Sequence, residues 1–381
     1  MLLALGASLL ATKGYAAPEV EQSYARARQL CQHLEDPWQL FPVLRGLWNY
    51  YFARAEYQTA HTLGEQLLVL AQQAQDPGML PAAHRTLGTT LSFLGAPVSA
   101  HMHLAQGMAL YDPQQHRAYA FLYGEDAGVF CRSQGARTLW CLGYPDQGLT
   151  RNDEALTLAQ QIAHPFSLDF ALGAAAMFHQ FRREGCAAQE HAEAAINLAT
   201  EQGFPYWRAL GFILHGWALV HQGQAKEGIA QIHQGLMAFR ATGAEAIQPY
   251  FLALLAEAYG IMGQPEAGLT VLTEALTLVD KTGERWWEPE IYRLKGALLL
   301  QQSPDHHAEA QACFHRALDV ARAQQAKSLE LRAATSLSRL WQQHGKRHKA
   351  RLLLSAVYTW FTEGFGTADV QEAKALLEEL S

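Results

Sequence analysis

A repeat with a mean spacing of about 41 residues runs along the whole chain and constrains its fold more than any local motif does. Each unit has an apolar run, a turn residue and a second, amphipathic run. The turn residues are Gly14, Glu56, Gly95, Gly143, Gly185, Gly223, Gly263, Ser303 and Gly345, which stand 38 to 48 positions apart. A repeat of this length predicts stacked helix pairs, a solenoid, whose long curved surface usually binds a partner.

The unit around Gly263 shows the pattern best. Residues 247–262 carry apolar side chains at helical spacing and predict the first helix of the pair, and residues 265–281 predict the second. Pro265 stands at the first helical position, where its missing N–H costs nothing. Gly283 is typical of a helix C-terminal cap.

The second helices share a small-large-small triplet with spacings of four and three, which places all three side chains on one helix face. The triplets are Ala100/Leu104/Gly107, Gly228/Ile232/Gly235, Gly268/Leu272/Ala275 and Ala310/Phe314/Ala317. This is the packing pattern of tetratricopeptide repeats, although their usual period of ~34 residues is shorter. HEAT units have the observed length but lack the triplet. We therefore predict an all-α, right-handed superhelical solenoid of about nine tetratricopeptide-like units over residues 1–366, with a C-terminal capping helix over 367–381.

The third unit, about 112–163, departs from the pattern. Its first helix, predicted over 117–142, contains Gly124, Gly128 and Gly135. Each glycine costs about 1 kcal/mol relative to alanine inside a helix, so we expect this helix to be kinked or split.

The N-terminal stretch is almost wholly apolar. It imitates a signal peptide, but no basic residue precedes it and Lys13 follows it, which favours the first helix of the array. The leucines at this end cannot all be buried against one following helix, so we expect self-association through it. These leucines are Leu2, Leu3, Leu5, Leu9 and Leu10. An uncapped apolar end also suggests that further repeats lie upstream.

Composition excludes several functions. The formal net charge of −7 does not suit nucleic-acid binding. No segment reaches the ~20 consecutive apolar residues that a membrane-spanning helix needs. The five cysteines are widely spaced and form no C-x-x-C pair, so neither a disulfide framework nor a zinc site is indicated and a cytoplasmic location is expected.

The sequence contains no convincing catalytic motif. Gly345-Lys346 is not a phosphate-binding loop, because the required upstream glycine and the following Ser or Thr are missing. His101 and His103 face different sides of a helix and do not form a metal site. No G-x-S-x-G is present. We expect no catalytic residue, no metal and no cofactor in this chain.

Several strings together resemble a known family: 14–32, 83–97, 111–129, 283–300, 326–346 and 360–380. They are similar to the C-terminal tetratricopeptide region of large bacterial proteins that carry a class III adenylate/guanylate cyclase domain and a signalling ATPase domain ahead of it. The resemblance covers almost the whole chain but includes neither enzymatic domain. It implies a regulatory role and no catalytic residue.

These observations predict a regulatory or scaffolding protein-binding module of a bacterial signalling protein, with a protein or peptide partner that could be an upstream ATPase or cyclase of the same polypeptide. The alternative is a small-ligand sensor that controls such a domain. Two features are candidate sites for an acidic peptide or small anion. One is the set of arginines on the first helices, which face the concave side in superhelices of this type. The other is the irregular third unit. The candidate residues are Arg117, Tyr119, Tyr123, Asp126, Arg132, Arg182 and Arg293. Arg85, Arg183, Arg208 and Arg332 belong to the same set of first-helix arginines.

Overall fold

The computed structural model describes residues 2–31, 37–74, 76 and 78–381. Within these ranges the chain forms twenty α-helices, one short 3-10 helix and no strand. The remaining positions, including Met1 and 32–36 of the predicted array, lie outside the described residues. The first ten helices are α1 (Leu2–Lys13), α2 (Pro18–Cys31), α3 (Pro37–Ala53), α4 (Tyr57–Ala74), α5 (Met79–Phe93), α6 (Pro97–Ala109), α7 (Pro113–Tyr123), α8 (Ala127–Cys141), α9 (Pro145–Ile162) and α10 (Pro165–Phe181).

The second half of the chain continues the series of paired helices. Its helices are α11 (Gly185–Gln202), α12 (Pro205–His221), α13 (Ala225–Ala241), α14 (Gln248–Ile261), α15 (Pro265–Thr282), α16 (Glu288–Gln302), α17 (His307–Gln324), α18 (Lys327–Gln343), α19 (Arg347–Tyr358) and α20 (Ala368–Glu379), with the 3-10 helix at Pro304–His306. Nine helix pairs can be counted in the described chain, with α7 as an extra helix and α20 at the end. The all-α solenoid predicted from the repeat is confirmed.

The pair α14–α15 shows why the sequence folds in this way. Pro265 opens α15, and Gly283 ends it in the left-handed region with φ of 73°. Gly268, Leu272 and Ala275 of the triplet are all buried. A Cβ atom on Gly268 would lie 3.1 Å from the carbonyl oxygen of Ala256 on α14. The small residue is therefore what lets the two helix backbones approach each other.

Not all of the predicted turn residues adopt the left-handed backbone conformation. Six of the turn glycines have positive φ, as expected, but at two turns the left-handed residue is a neighbour. It is Ala55 rather than Glu56, and Arg183 rather than Gly185, which is already the first residue of α11. Ser303 is extended, and its hydroxyl accepts a hydrogen bond from the backbone N–H of Asp305. The helix ends can therefore vary while the repeat is kept.

The irregular segment follows the third helix pair. The helix predicted over 117–142 is divided at Gly124, which caps α7 in the left-handed region with φ of 76°. Asp126 then opens α8, because its side chain accepts a hydrogen bond from the backbone N–H of Val129. Gly128 and Gly135 lie inside α8 and do not interrupt it. The chain is thus split at one of the three glycines.

The superhelix closes on itself. The carbonyl oxygen of Ala53, at the end of α3, accepts hydrogen bonds from the backbone N–H groups of Glu245 (2.8 Å) and Ala246 (3.0 Å). One repeat later, the carbonyl oxygen of Phe93 accepts from Arg285 (2.9 Å) and Trp286 (3.3 Å) in the same way. Segments about 190 residues apart are therefore in contact. Successive superhelical turns therefore touch each other, in addition to the contacts between neighbouring repeats that the sequence predicts.

Closure also changes the environment of the N-terminal helix. Helix α1 contacts α3, α7 and α12 in addition to α2, so it has more partners than the single helix assumed from the sequence. Leu10 is buried, and Leu3 and Leu9 pack partly against the core, whereas Leu5 is 49% exposed. The side chain of Leu2 lies outside the described residues. Self-association through this end stays a prediction.

Helix α20 packs against α18 and α19 at the C-terminal end of the array. Val370, Ala373 and Leu376 form its buried stripe. The loop before α20 is bound back to α9, where the carboxylate of Asp146 accepts a hydrogen bond from the N–H of Gly364 (2.8 Å). In the part of the chain that the structure describes, no helix is both long and apolar enough to cross a bilayer.

Candidate functional site

Two of the cavities that the described residues form lie along the inner face of the superhelix and are candidate sites. The first, which we call the aromatic chamber, is lined by residues of α3, α5, α8, α10 and α12 and has a volume of about 80 Å³. The second, which we call the charged groove, is lined by residues of α14, α16, α18 and α20 together with the ends of α10 and α12, and has a volume of about 520 Å³. Ligand sites typically span ~300–1,000 Å³, so the charged groove has the size of a binding site.

Four arginines and four carboxylates line the charged groove. Arg293 binds Glu290 on the preceding turn of α16 through two hydrogen bonds, of 2.9 and 2.7 Å. Arg332 on α18 donates from Nε to Asp369 on α20 (2.8 Å) and lies 3.4 Å from Glu290. Arg332, Glu290 and Asp369 are at least nine-tenths buried, whereas Arg293 is 19% exposed. The bidentate geometry of the Arg293–Glu290 pair holds its two side chains in fixed positions. They join α16, α18 and α20 into one wall.

The groove also carries two more accessible arginines. Arg183, in the turn after α10, pairs with Glu372 (2.7 Å) and with Asp369 (3.4 Å). Arg339 on α18 binds the other oxygen of Glu372 at 2.8 Å. The side chains of Arg183 and Arg339 are 40% and 51% exposed. A ligand entering the groove therefore meets two guanidinium groups that share one carboxylate.

Glu257 on α14 is the fourth carboxylate. The indole N–H of Trp217 donates to it (2.8 Å), and the imidazole Nε2 of His221 lies 3.7 Å away. Burial alone would raise the pKa of this carboxyl, but the contacts with His221 and Trp217 outweigh burial and hold the pKa at about 2. Glu257 is therefore ionised across the physiological range, and the groove is lined by balanced charges.

An aromatic layer separates the groove from the chamber. The ring of Phe181 lies within 6.0 Å of the rings of Trp140, Tyr250, Trp286 and Trp287, measured between centroids. Phe181 faces the chamber, whereas Arg332 covers Trp140 from the groove side at 5.0 Å. The hydroxyl of Tyr250 donates to Gln180 (2.8 Å). The two cavities are consequently distinct sites.

The charged groove holds no metal-binding cluster in the part of the chain that is described. No group of three or more His, Cys, Asp or Glu side chains converges there in a way that could hold a metal ion. The acidic and basic side chains of the groove are engaged with one another. What the groove offers chemically is charge and hydrogen bonding along a rigid surface.

The irregular segment uses its predicted site residues for internal contacts. Arg117 donates to the carbonyl oxygen of Ile162 (3.1 Å), and the hydroxyl of Tyr119 lies 3.0 Å from a carboxylate oxygen of Asp76. Tyr123 is buried, and the guanidinium of Arg45 lies over its ring. These three side chains line neither cavity.

The two other predicted residues of this segment are also engaged. Asp126 accepts a hydrogen bond from the hydroxyl of Tyr111 (2.7 Å), and its own N–H donates to Ser167 (2.9 Å). Arg132 lies over the ring of Tyr111 and donates to the carbonyl oxygen of Gly128 (3.1 Å). Neither residue lines the aromatic chamber or the charged groove. The role of the irregular segment as a binding site stays a prediction.

Four of the arginines predicted for the first helices line the chamber or the groove. Arg293, Arg183 and Arg332 line the groove, and Arg85 lines the chamber. Arg182 lines neither and pairs with Glu184 at 2.8 Å. The sequence reasoning did not single out Arg137 or Arg339, although both stand at helical spacing with the apolar stripe of a first helix. That spacing was the available signal.

Comparison with solved structures places the fold. The chain is similar to a Rap protein solved in complex with competence and sporulation factor, with 10% identity, coverage of 100% of this chain and 98% of that chain, and a TM-score of 0.65. It is also similar to the APC/C hetero-tetramer Cut9–Hcn1, with 12% identity, coverage of 95% and 59%, and a TM-score of 0.56. A signal transduction ATPase from Pyrococcus horikoshii, which carries a tetratricopeptide repeat sensor, aligns at a TM-score of 0.46 with 12% identity and coverage of 96% and 55%.

No protein-family model matches the sequence, and no curated protein matches it either. The helix pairs, the triplet packing and the first two structural alignments define the class of protein. The chain is an all-α helical-repeat solenoid with a tetratricopeptide-like fold, and the aromatic chamber and the charged groove lie on its inner face.

Proposed function

We propose that this chain is a non-catalytic regulatory module that binds a segment of a partner protein in the charged groove. The groove itself carries this proposal, since it is a cavity of about 520 Å³ whose charged walls are held rigid by buried ion pairs. Solenoids of helix pairs commonly use their concave surface for binding. The similar Rap protein was solved with competence and sporulation factor, and Cut9 with Hcn1, which supports a partner-binding role for this fold.

The exposed arginines favour an acidic partner segment. Glu372 is shared between Arg183 and Arg339. The second carboxylate near Arg183, Asp369, is shared with Arg332, so neither exposed guanidinium has a carboxylate of its own. An acidic side chain of the partner can bind either of them while Glu372 keeps the other. Charge-assisted hydrogen bonds of this kind contribute about 1.5–3 kcal/mol each.

The first experiment tests the groove. Acidic peptides selected on the purified chain are expected to bind Arg339→Ala about tenfold or more weakly than wild type by isothermal titration calorimetry, because one charge-assisted contact is lost. Arg351→Ala, on the outer helix α19, is the matched control and should leave the affinity unchanged. Equal affinities for wild type and Arg339→Ala, or a loss confined to Arg351→Ala, would place the binding surface outside the groove.

The partner is proposed from the family that the sequence resembles. We infer that the segment belongs to a signalling ATPase or nucleotide cyclase of the same polypeptide in the bacterial cytoplasm, and that occupation of the groove regulates it. The expected result is an ATPase or cyclase domain encoded in frame upstream of this array, which sequencing of the locus tests. A stop codon in that frame with no such domain before it would contradict the tethered arrangement but leave the groove proposal standing.

A further inference from the structure

The aromatic chamber is a second site with a chemistry of its own. Most of its wall is apolar, formed by Trp48, Phe52, Phe93, Phe130, Phe170 and Trp207. Two charged side chains line it, Arg85 and Arg137, and no carboxylate is among its lining residues. An apolar cavity with a positive group in its wall suits an anion attached to an apolar body.

Arg137 is the group that lacks a counter-ion. It is 6% exposed, its Nη2 atom donates to the hydroxyl of Ser92 (3.0 Å), and its guanidinium lies over the rings of Phe93 (4.4 Å) and Trp286 (4.8 Å). Among the residues described, no carboxylate oxygen lies within 4.0 Å of it. Burial lowers its pKa to about 10, so the side chain still carries its charge at neutral pH. A buried unpaired charge is expensive, and proteins usually pair such groups.

Other polar atoms of the same wall are also without partners. The Nε of Arg137, the hydroxyl of Ser133 and the Oε1 of Gln134 are buried and make no hydrogen bond to any described residue. Ser133 is 6% exposed. These residues stand at spacings of three and four along α8, so they present their side chains on one face. Buried polar groups are normally satisfied, so this cluster indicates a polar ligand group at the chamber wall.

Among the described residues, no acid pairs with Arg137. Glu125, beside the other arginine of the chamber, is held by Arg85 and Arg45. Glu284 lies close enough to act on Arg137, but its carboxylate accepts hydrogen bonds from Tyr57, Trp286 and the N–H of Ile247. The wall around Arg137 therefore keeps unsatisfied donors facing the chamber.

We propose that the aromatic chamber binds a short-chain aliphatic monocarboxylate, whose carboxylate accepts from Arg137 and Ser133 while its chain packs against Phe170 and Trp207. The free volume of about 80 Å³ sets the size. This volume is well below the ~300–1,000 Å³ typical of ligand sites, so the chamber suits a short chain and is too small for a nucleotide or a peptide. The site is independent of the charged groove and of whatever occupies it.

Butyrate is the probe and butyramide the matched neutral control, because the two have the same chain and differ in charge. Calorimetry on the full chain is expected to detect butyrate binding at a stoichiometry of one and at least tenfold weaker binding of butyramide, since the charge-assisted contacts are lost. Acetate should bind more weakly than butyrate because it buries less apolar surface. Equal binding of butyrate and butyramide, or no binding of butyrate, would overturn the proposal.

Variants locate the site. Arg137→Met and Ser133→Ala are each expected to weaken butyrate binding about tenfold, whereas Arg132→Met, on the same helix but outside the chamber, should leave it unchanged. Circular dichroism verifies that each variant is folded, and Ser133→Ala gives the answer if Arg137→Met does not fold. Butyrate affinity that is unaffected by Ser133→Ala, or equally reduced by Arg132→Met, would exclude the chamber. Acidic-peptide binding to the groove should be unchanged in all three variants, so failure of one proposal is distinguishable from failure of the other.

Discussion

Glu125→Ala is expected to destabilise the chain by about 3–5 kcal/mol, because it leaves two buried guanidinium groups without their shared carboxylate. Glu125 follows the break between α7 and α8 and is 1% exposed. Arg45 and Arg85 both pair with it, and their side chains are only 2% and 4% exposed. Urea denaturation followed by circular dichroism measures the loss.

The matched control is Glu154→Ala. Glu154 also lies between two arginines, Arg151 and Arg132, but its side chain is 41% exposed and solvent screens the pairs. Removing it should cost at most about 1 kcal/mol. Equal losses for the two glutamates would show that burial does not determine the importance of the ion pair.

A triple variant tests whether unpaired buried charge causes this loss of stability. Replacing Arg45, Arg85 and Glu125 together by methionine, methionine and leucine removes the charges along with their desolvation cost. The triple variant should be more stable than Glu125→Ala, even though it makes none of the ionic contacts. A triple variant at least as unstable as Glu125→Ala would mean that lost contacts, and not unpaired charge, cause the effect.

The ion-paired cluster gives the irregular segment a structural role that the sequence only partly revealed. The glycines at 117–142 predicted a break, and the break occurs at Gly124. What the sequence could not show is that the break turns Glu125 inward to meet Arg45 and Arg85, which precede it by 80 and 40 residues. Pairing at such distances leaves no local periodic signal. The predicted binding residues of this segment were chosen from the break alone.

The helix pairs themselves follow from local chemistry. The helices predicted over 247–262 and 265–281 are found at Gln248–Ile261 and Pro265–Thr282, since proline and glycine mark their limits. The groove could not be predicted from local chemistry alone. Arginines at helical spacing pointed to Arg293 and Arg332, but Asp369, which binds Arg332, belongs to a helix that the sequence presented as a cap. The groove becomes evident only when α20 is placed beside α18.

Closure of the superhelix was the feature least accessible to sequence reasoning. The acceptors at Ala53 and Phe93 are backbone carbonyl oxygens, which have no residue signature. Their donors lie about 190 residues further along the chain. Each repeat read by itself predicts only contact with the next repeat. A buried side chain that reinforces this closure belongs to Glu284.

Glu284→Ala is expected to lower the free energy of unfolding by at least about 3 kcal/mol and to loosen the contact between successive superhelical turns. The carboxylate is 1% exposed and accepts hydrogen bonds from the hydroxyl of Tyr57 (2.6 Å), the N–H of Ile247 (2.9 Å) and the indole of Trp286 (2.8 Å). Tyr57 belongs to the first superhelical turn and the other two donors to the next. Each buried donor left unsatisfied costs about 1–3 kcal/mol, and three are affected.

Glu245→Ala provides the comparison, since this residue lies at the same turn-to-turn contact. Its side chain is 24% exposed and pairs with Arg54 and Lys281 at the surface, while its backbone N–H bonds Ala53 whatever the side chain is. The Glu245→Ala substitution should lower the free energy of unfolding by less than about 1 kcal/mol and leave the shape of the superhelix unchanged. Small-angle scattering is expected to give a larger radius of gyration for Glu284→Ala alone, because the turns separate once their buried carboxylate is gone. Identical scattering and stability for Glu284→Ala and Glu245→Ala would mean that the backbone hydrogen bonds hold the superhelix closed without Glu284.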